Sequence, residues 1–249
     1  MKVENKFFWE NQDVIATQDR SVSSSAGYEV FLYEKVAAYL NSKVKLSAKV
    51  FGCGTGREIP EVIKYIGVER VLASDIAENM IKKCNENLIN WQVTDMVTTE
   101  VADAAAFESR DYTFDVVTIM NNMLTYVTDK QQRDKIFKKS HEILKDKGCI
   151  IGVVHHQIGT PQKTAYFMLR RFLKPFLKSE VGYRLTGFKG LKFGGYYFTK
   201  EDLYKHLNDN DFKNIEITSL AGFSEKQGIP YDRMKGSNNL LFFCNKILR

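Results

Sequence analysis

The stretch that decides the fold class is AKVFGCGTG, residues 48–56. Residues 48–51 are typical of a short buried strand, and helical spacing resumes at residues 57–66. Glycine tolerates backbone conformations that other residues avoid, and it lets a ligand approach the main chain closely. A strand, a glycine turn and a helix in this order predict a site for an adenosine-containing ligand at the carboxyl end of a parallel strand.

An acidic residue completes this pattern. Residues 71–74 predict a second strand that ends at Asp75, about 20 residues beyond the glycine turn, where a carboxylate can accept hydrogen bonds from both ribose hydroxyls. The glycines follow G-x-G-x-G and not the dinucleotide spacing G-x-G-x-x-G. The dinucleotide motif has one more residue between its second and third glycines. Its absence here argues against a pyrophosphate over the helix N-terminus and favours a ligand without phosphate.

The rest of the chain continues the alternation of strands and helices, which predicts βαβ units in a parallel sheet. Residues 1–26 look polar and irregular, with a turn-prone run at 21–25, and residues 91–97 fit no element. The last two strand candidates are joined without a helix, which predicts an antiparallel final pair. Further strands are predicted at 98–102, 114–120, 149–154, 215–220 and 240–247, and helices at 27–41, from 78 into the 80s, at 134–144 and from 200 to about 208.

Several segments together resemble the motifs of class I S-adenosylmethionine-dependent methyltransferases. The segments that carry the resemblance are 50–58 for the first motif, 71–80 for the second, 101–104 with 114–117 for the next pair, 143–148 before the fifth strand, and 198–203 with 211–212 before the sixth. The resemblance covers residues 45–155 closely and 196–247 more loosely. It implies an α/β fold: a Rossmann-like, seven-stranded, mostly parallel sheet with helices on both faces, an antiparallel last strand and an insertion after strand five.

A single domain over residues 1–249 follows from this resemblance. It would consist of an N-terminal helical segment (1–44), a cofactor-binding core (45–156), a lid-like insertion (157–195), and a C-terminal helix with the last two strands (196–249).

The resemblance also implies S-adenosylmethionine as the cofactor. Asp75 would hold the ribose, Met80 would close on the adenine, and Asp103 would meet the adenine amino group. Asp95 is a rival for the role of Asp103, since it too could end a strand. The implied cofactor-binding residues are Gly52, Cys53, Gly54, Gly56, Arg57, Asp75, Ile76, Met80, Asp103, Ala104 and Asn121.

The chain departs from the family pattern at one position. The family carries an acid two residues before the first glycine, facing the methionine ammonium, where this chain has Val50. Either another group holds the ammonium or cofactor affinity is reduced, and a non-catalytic binding protein stays open. Asn121 and Asn122 end the fourth strand, where they could bond the cofactor or the substrate, or cap the next helix.

Methyl transfer from a sulfonium is an in-line displacement, so the protein mainly aligns a nucleophile and excludes water. A hydroxyl nucleophile often needs a base, whereas an uncharged amine does not. His155 and His156 directly follow the fifth strand, at the sheet edge where a substrate should sit, and we predict both as catalytic candidates. The alternative is that both are exposed or structurally bonded loop residues.

The insertion at 157–195 is rich in aromatic and basic residues, which suits a lid over a substrate pocket. Its cations could meet a phosphate on the substrate, RNA or lipid headgroups. The alternative is a helix pair that packs its aromatics inward behind a solvated basic face. The cations are Arg170, Arg171, Lys174, Lys178, Arg184, Lys189 and Lys192.

Composition limits the partners. The formal charge of +6 and the pI near 9.0 are explained by solvated lysines and only weakly favour an anionic partner. No apolar run could span a bilayer, and residues 1–10 do not resemble a secretory signal, so we expect a cytoplasmic protein. The four cysteines are widely spaced, so neither a zinc site nor a disulfide framework is expected.

The predicted function is O- or N-methylation of a small molecule, with anionic and carrier-linked acceptors included. The alternatives are an RNA or protein methyltransferase that docks through the insertion, and a non-catalytic adenosylmethionine-binding protein. Nucleic acid and a membrane surface stay open as partners without support from the sequence, which has no separate nucleic-acid module.

Overall fold

The structure is a computed structural model, and it describes residues 5–20, 26–41, 45–108, 112–188, 190–234 and 238–247. The turn predicted at 21–25 and Lys189 lie outside these ranges. The helices are α1 (Asn5–Trp9), α2 (Gln12–Arg20), α3 (Gly27–Leu40), α4 (Ile59–Glu61, continued by a π-helix at Val62–Ile66), α5 (Glu78–Asn90), α6 (Lys130–Ile143), α7 (Pro161–Phe172), α8 (Lys200–Asp209) and α9 (Leu220–Lys226). The strands are β1 (Leu46–Phe51), β2 (Val68–Asp75), β3 (Val97–Val101), β4 (Phe114–Ile119), β5 (Leu144–His155), β6 (Tyr183–Phe188), β7 (Leu191–Tyr196), β8 (Lys213–Ser219) and β9 (Asn239–Asn245).

Seven strands form one sheet in the order β3-β2-β1-β4-β5-β9-β8. The first five are mutually parallel, and β9 runs antiparallel to both of its neighbours, β5 and β8. The predicted Rossmann-like sheet with an antiparallel last strand is therefore confirmed. Because the strand order reverses between β1 and β4, the crevice for a ligand opens at the carboxyl ends of these two strands.

The sheet is covered on both faces by apolar side chains. Every residue of β1 and of β4 is buried. This burial explains why the two strands appear in the sequence as mainly apolar runs and not as an alternation of apolar and polar residues. One face packs against α3 and α4 through residues such as Val36 and Val62. The other packs against α6 and α8 through residues such as Phe137 and Leu203. Each such side chain contributes roughly 1.5–3 kcal/mol when fully buried.

The N-terminal segment is helical in its described residues. The prediction that residues 1–26 are irregular was therefore wrong there. Helices as short as α1 and α2 are marginal in isolation and depend on tertiary packing. Here Phe8 lies against Phe193 of β7 with ring centroids 3.9 Å apart, and Val14 and Ile15 belong to the same buried cluster as Met80. Contacts distant in sequence therefore form these helices, and no local pattern could have predicted them.

Two other predictions are corrected. The strands β8 and β9 are separated by a helix, α9, which Ser219 caps through its side chain. A seven-residue helix is too short to show a clear periodicity. The insertion does not contain a helix pair in its described part: α7 is followed by the antiparallel hairpin β6–β7. The helix predicted from residue 200 is confirmed as α8, and Thr199 and Asp202 form a reciprocal capping box at its start.

Candidate active site

The glycine turn between β1 and α4 has three left-handed glycines, each with its own reason. A Cβ at Gly52 (φ 65°) would lie 2.3 Å from Met123 Cγ, and one at Gly56 (φ 87°) would lie 2.7 Å from Cys84 Sγ. At Gly54 (φ 54°) a Cβ would meet nothing within 4 Å. Gly52 and Gly56 are therefore required by close packing, while Gly54 leaves main chain open to the adjoining cleft.

Asp75, the last residue of β2, links the glycine turn to the start of α5 through hydrogen bonds. Its Oδ2 accepts a hydrogen bond from the Gly54 N–H, and its Oδ1 accepts one from the Ala77 N–H, both at 2.9 Å. Burial raises the pKa of this carboxyl above its ordinary value. Each carboxylate oxygen has a second lone pair, so Asp75 can still accept hydrogen bonds from a ligand.

A cleft of about 270 Å³ lies beside the turn and Asp75, and we call it the cofactor cleft. Gly56 is not part of its lining, because that residue faces Cys84. The other ten predicted residues are brought together there: Gly52, Cys53, Gly54, Arg57, Asp75, Ile76, Met80, Asp103, Ala104 and Asn121. The rival Asp95 lies in a short 3₁₀ segment at Thr94–Met96 and is absent from the described lining.

Sequence reasoning missed the residues that cover this cleft. Apart from Thr55 in the glycine turn and Ala102 after β3, they come from the N-terminal helices and from the segment after β4, which carry no recognisable motif. Asn5 links α1 to the segment after β4, because its side-chain amide donates a hydrogen bond to the Tyr126 carbonyl. The missed lining residues are Asn5, Lys6, Trp9, Gln18, Thr55, Ala102, Met123, Tyr126, Val127, Gln132 and Ile136.

Arg57 is held in the cleft wall by a buried acid on another element. Its two terminal nitrogens donate to the two carboxylate oxygens of Glu29 in α3, at 2.7 and 3.0 Å. Arg57 also donates to the side-chain oxygen of Asn121. A bidentate pair fixes the plane of the guanidinium, so this cation is oriented before any ligand arrives.

Val50 does not face the cofactor cleft: it is fully buried in the apolar core beside α3 and α4. Its register partner on β4 is Thr118, whose hydroxyl contacts the carboxyl of Glu58 at 3.4 Å. Glu58 is 1% exposed, and its other oxygen, Oε2, has no hydrogen-bond partner among the described residues. Burial raises the pKa of Glu58 to about 8, so this acid holds a proton at neutral pH.

The two predicted catalytic histidines are placed differently. The His155 ring stacks on Tyr197 at 5.2 Å and lies edge-on to Tyr126 at 6.3 Å, and Tyr126 lines the cofactor cleft. His156 is 5% exposed, lines neither cavity described for this structure, and has a buried Nδ1 without a partner among the described residues. Burial lowers the pKa of both rings to about 4.

A second cavity of about 820 Å³ is lined by His155, and we call it the His155 cavity. Its described lining includes three cations and no carboxylate. Lys163 and Arg184 lie over the same ring, Tyr197, at 5.7 and 5.9 Å from its centroid. The lining is His155, Thr160, Gln162, Lys163, Tyr166, Arg170, Ser179, Tyr183, Arg184, Leu185 and Tyr197.

Comparison with known proteins agrees with this architecture. Residues 50–148 match a family model described as a methyltransferase domain, and no curated protein matches the chain. An S-adenosylmethionine-dependent methyltransferase from Methanosarcina mazei is 18% identical, with a TM-score of 0.62 over 84% of this chain and 96% of that one.

Two further structures are similar. Magnesium protoporphyrin IX methyltransferase from Synechocystis, solved with bound S-adenosylhomocysteine, is 13% identical with a TM-score of 0.59 over 97% of both chains. A phosphoethanolamine N-methyltransferase from Haemonchus contortus, in complex with phosphomonomethylethanolamine and S-adenosylhomocysteine, is 17% identical with a TM-score of 0.58 over 86% of this chain and 52% of that one.

A sheet of this strand order, with a cleft at the carboxyl ends of β1 and β2, defines the Rossmann-like methyltransferase class. The matched domain spans the glycine turn, Asp75 and Asp103. Residues 50–148 match a methyltransferase domain, and the chain has the fold of the class I S-adenosylmethionine-dependent methyltransferases, which indicates S-adenosylmethionine as the cofactor.

The residues of the cleft fit this cofactor. Open main chain at Gly54 allows close approach, the carboxylates of Asp75 and Asp103 can accept from hydroxyl and amino groups, and Ile76 and Met80 offer apolar walls. Arg57 supplies an oriented cation for a ligand carboxylate.

Proposed function

We propose that this methyltransferase acts on the oxygen or nitrogen of a small molecule that carries an anionic group. The observation behind the proposal is the His155 cavity, where Lys163 and Arg184 converge on Tyr197 and no described lining residue is acidic. Its volume of about 820 Å³ suits a metabolite-sized ligand. The three cations gather around one concavity of this size, which supports a small acceptor over RNA.

The same residues support an anion for electrostatic reasons. Within the described ranges neither Lys163 nor Arg184 forms an ion pair. Burial and the neighbouring Arg184 lower the pKa of Lys163 to about 8. Thr160 and Gln162, at the N-terminal end of α7, line the same cavity, so the positive end of a helix adds to the field. A phosphate or carboxylate would neutralise this cluster.

We assign the cofactor to the cofactor cleft, with Asp75 on the ribose, Asp103 on the adenine amino group and Arg57 on the methionine carboxylate. When bound there, S-adenosylmethionine supplies an electrophilic methyl group on a sulfonium. The residues 157–195 would then act as a lid, because Phe193 of the hairpin packs on Phe8 and Tyr126 beside this cleft.

His155 is our candidate base for a hydroxyl acceptor, and His156 is not. The His155 Nδ1 lies 2.9 Å from the Asn239 side-chain oxygen, which can only accept, so Nδ1 carries the ring proton. The remaining nitrogen, Nε2, is then unprotonated and is the one left to meet a ligand in the His155 cavity. An amine acceptor that binds in its uncharged form would not need this base.

The anionic acceptor is tested through Lys163 and Arg184. We expect Arg184→Met and Lys163→Met each to raise KM for the acceptor by roughly ten-fold or more, because each removes a charge-assisted contact. The affinity for S-adenosylmethionine should not change. The measurement is S-adenosylhomocysteine release with paired acceptors, a phosphate- or carboxylate-bearing alcohol or amine against its neutral analogue. Lys192→Met, an exposed lysine of the same hairpin, is the control. Equal turnover of charged and neutral analogues, unaffected by Arg184→Met, would refute the anionic acceptor.

A second test addresses the cofactor cleft. We expect NAD and NADP not to bind, because the G-x-G-x-G turn lacks the spacing that places a pyrophosphate over a helix N-terminus. Titration calorimetry checks this, with S-adenosylmethionine as the positive control. Micromolar binding of either dinucleotide would contradict the expectation.

A further inference from the structure

An apolar face on α7 has no partner in the structure. Ala165, Met168, Leu169 and Phe172 are exposed, and their spacing places them along one side of the helix. The same surface continues past the helix end with Leu173 and Phe176. Phe172 is 81% exposed and Phe176 is 84% exposed, which are unusual values for phenylalanine. We call this surface the α7 face.

The opposite side of α7 is already packed against the protein. Phe167 is 2% exposed and lies 5.2 Å from the Tyr197 ring, and Lys163 and Arg170 line the His155 cavity. An amphipathic helix normally turns its apolar stripe toward the core. Here the apolar stripe is turned outward and Phe167 is the one buried residue of α7, so the fold itself does not explain the stripe.

The charge around the α7 face indicates what covers it. Apart from Lys163 and Arg170 on the opposite side, residues 161–178 contain three basic residues, Arg171, Lys174 and Lys178, and no acidic one. Lys174 and Lys178 are exposed beside Phe172 and Phe176. A two-fold contact with a second copy would bring this cationic surface against itself, which is unfavourable. An anionic surface with a hydrocarbon layer beneath it matches both the charge and the apolar side chains.

We propose that the α7 face docks on an anionic lipid surface, with Phe172 and Phe176 entering the interfacial layer and Lys174 and Lys178 meeting lipid phosphates. Outward apolar side chains flanked by lysine and arginine are the pattern of helices that lie in a membrane interface. Within the described residues every helix is too short or too polar to span a bilayer, so the contact would be peripheral.

Vesicle sedimentation with the full chain tests the proposal. We expect binding to phosphatidylcholine vesicles that contain about one third phosphatidylserine, much weaker binding to phosphatidylcholine alone, and loss of binding as salt is raised. Phe172→Ser with Phe176→Ser should lower partitioning about ten-fold or more, because both rings lose their insertion. Lys174→Glu with Lys178→Glu should lower it at least about five-fold.

Matched controls come from other helices. Ile89→Ser changes an exposed aliphatic residue of α5, and Lys135→Glu with Lys138→Glu changes exposed lysines of α6; both should bind vesicles like the wild type. All changed residues are exposed, so the variants should fold. Absent binding to anionic vesicles, or binding that both α7 variants retain, overturns the proposal. A wild-type dimer that Phe172→Ser with Phe176→Ser dissociates also overturns it and assigns the face to a second copy.

Discussion

Replacing Asp75 with alanine is expected to weaken S-adenosylmethionine binding by roughly ten- to one-hundred-fold. The reason is the loss of charge-assisted hydrogen bonds from the ribose, which together contribute on the order of 1.5–3 kcal/mol. Asp75 lines the cofactor cleft and is half-buried, so water replaces the lost acceptor only in part. Titration calorimetry of the purified variant measures the change directly.

Asp75 also supports the free protein, and the experiment has to separate the two effects. Its two oxygens accept from the N–H groups of Gly54 and Ala77, so alanine removes both bonds. Asp75→Asn keeps one carboxamide oxygen and the shape of the side chain, and we expect it to fall between wild type and alanine. Glu78→Ala, an exposed acid at the start of α5, is the control for charge alone. A folded Asp75→Ala variant with unchanged affinity would remove Asp75 from the cofactor site.

Replacing Glu58 with glutamine is expected to stabilise the protein progressively as the pH rises. The folded-state pKa of Glu58 is about 8, raised by burial, whereas an unfolded glutamate titrates near its ordinary value. Between these two values the folded state holds a proton that the unfolded state releases. The wild type therefore loses stability with rising pH, by about 1.4 kcal/mol per pH unit.

Glutamine does not titrate, so this residue no longer lowers the free energy of unfolding of the variant as the pH rises. The difference in free energy of unfolding between variant and wild type should grow by about 3 kcal/mol from about pH 5 to about pH 7.5, and should level off above about pH 8. Denaturant titrations at the two pH values measure it. The comparison across pH also cancels any fixed cost of burying the extra amide N–H.

A surface acid provides the reference. Glu69→Gln, an exposed residue of β2, should change the free energy of unfolding by less than about 0.5 kcal/mol at either pH. If the difference for Glu58→Gln does not change with pH, Glu58 is ionised in the fold and Arg57 compensates its charge.

The sheet and the cofactor cleft could be predicted to different extents. The strands β1, β2 and β4 were predicted to within a few residues, because each is a buried apolar run that ends at a glycine or a polar residue. Gly56 shows the limit of a motif: it was predicted to bind cofactor, but its missing side chain makes room for Cys84. Motif positions do not distinguish residues that face the ligand from residues that face the core.

The insertion shows a second limit. Its aromatic and basic composition was visible, but not its division into cations that line a cavity and phenylalanines that point outward. Lys163 was not among the cations singled out, although it lies over Tyr197 in the His155 cavity. Which side of α7 faces the protein depends on where the hairpin β6–β7 packs, because apolar residues occur on both sides of the helix.

By itself, the sequence determined the parallel core, the glycine turn and the acid that follows it, because these depend on residue types at short spacings along the chain. Only the tertiary structure decided which residues from distant segments complete the site around these elements. Asn5 reaches the Tyr126 carbonyl 121 residues away, and Glu29 on α3 orients Arg57. The physical reason is that short helices and buried ion pairs are stabilised by burial against distant elements, and their own residues carry little local preference for them.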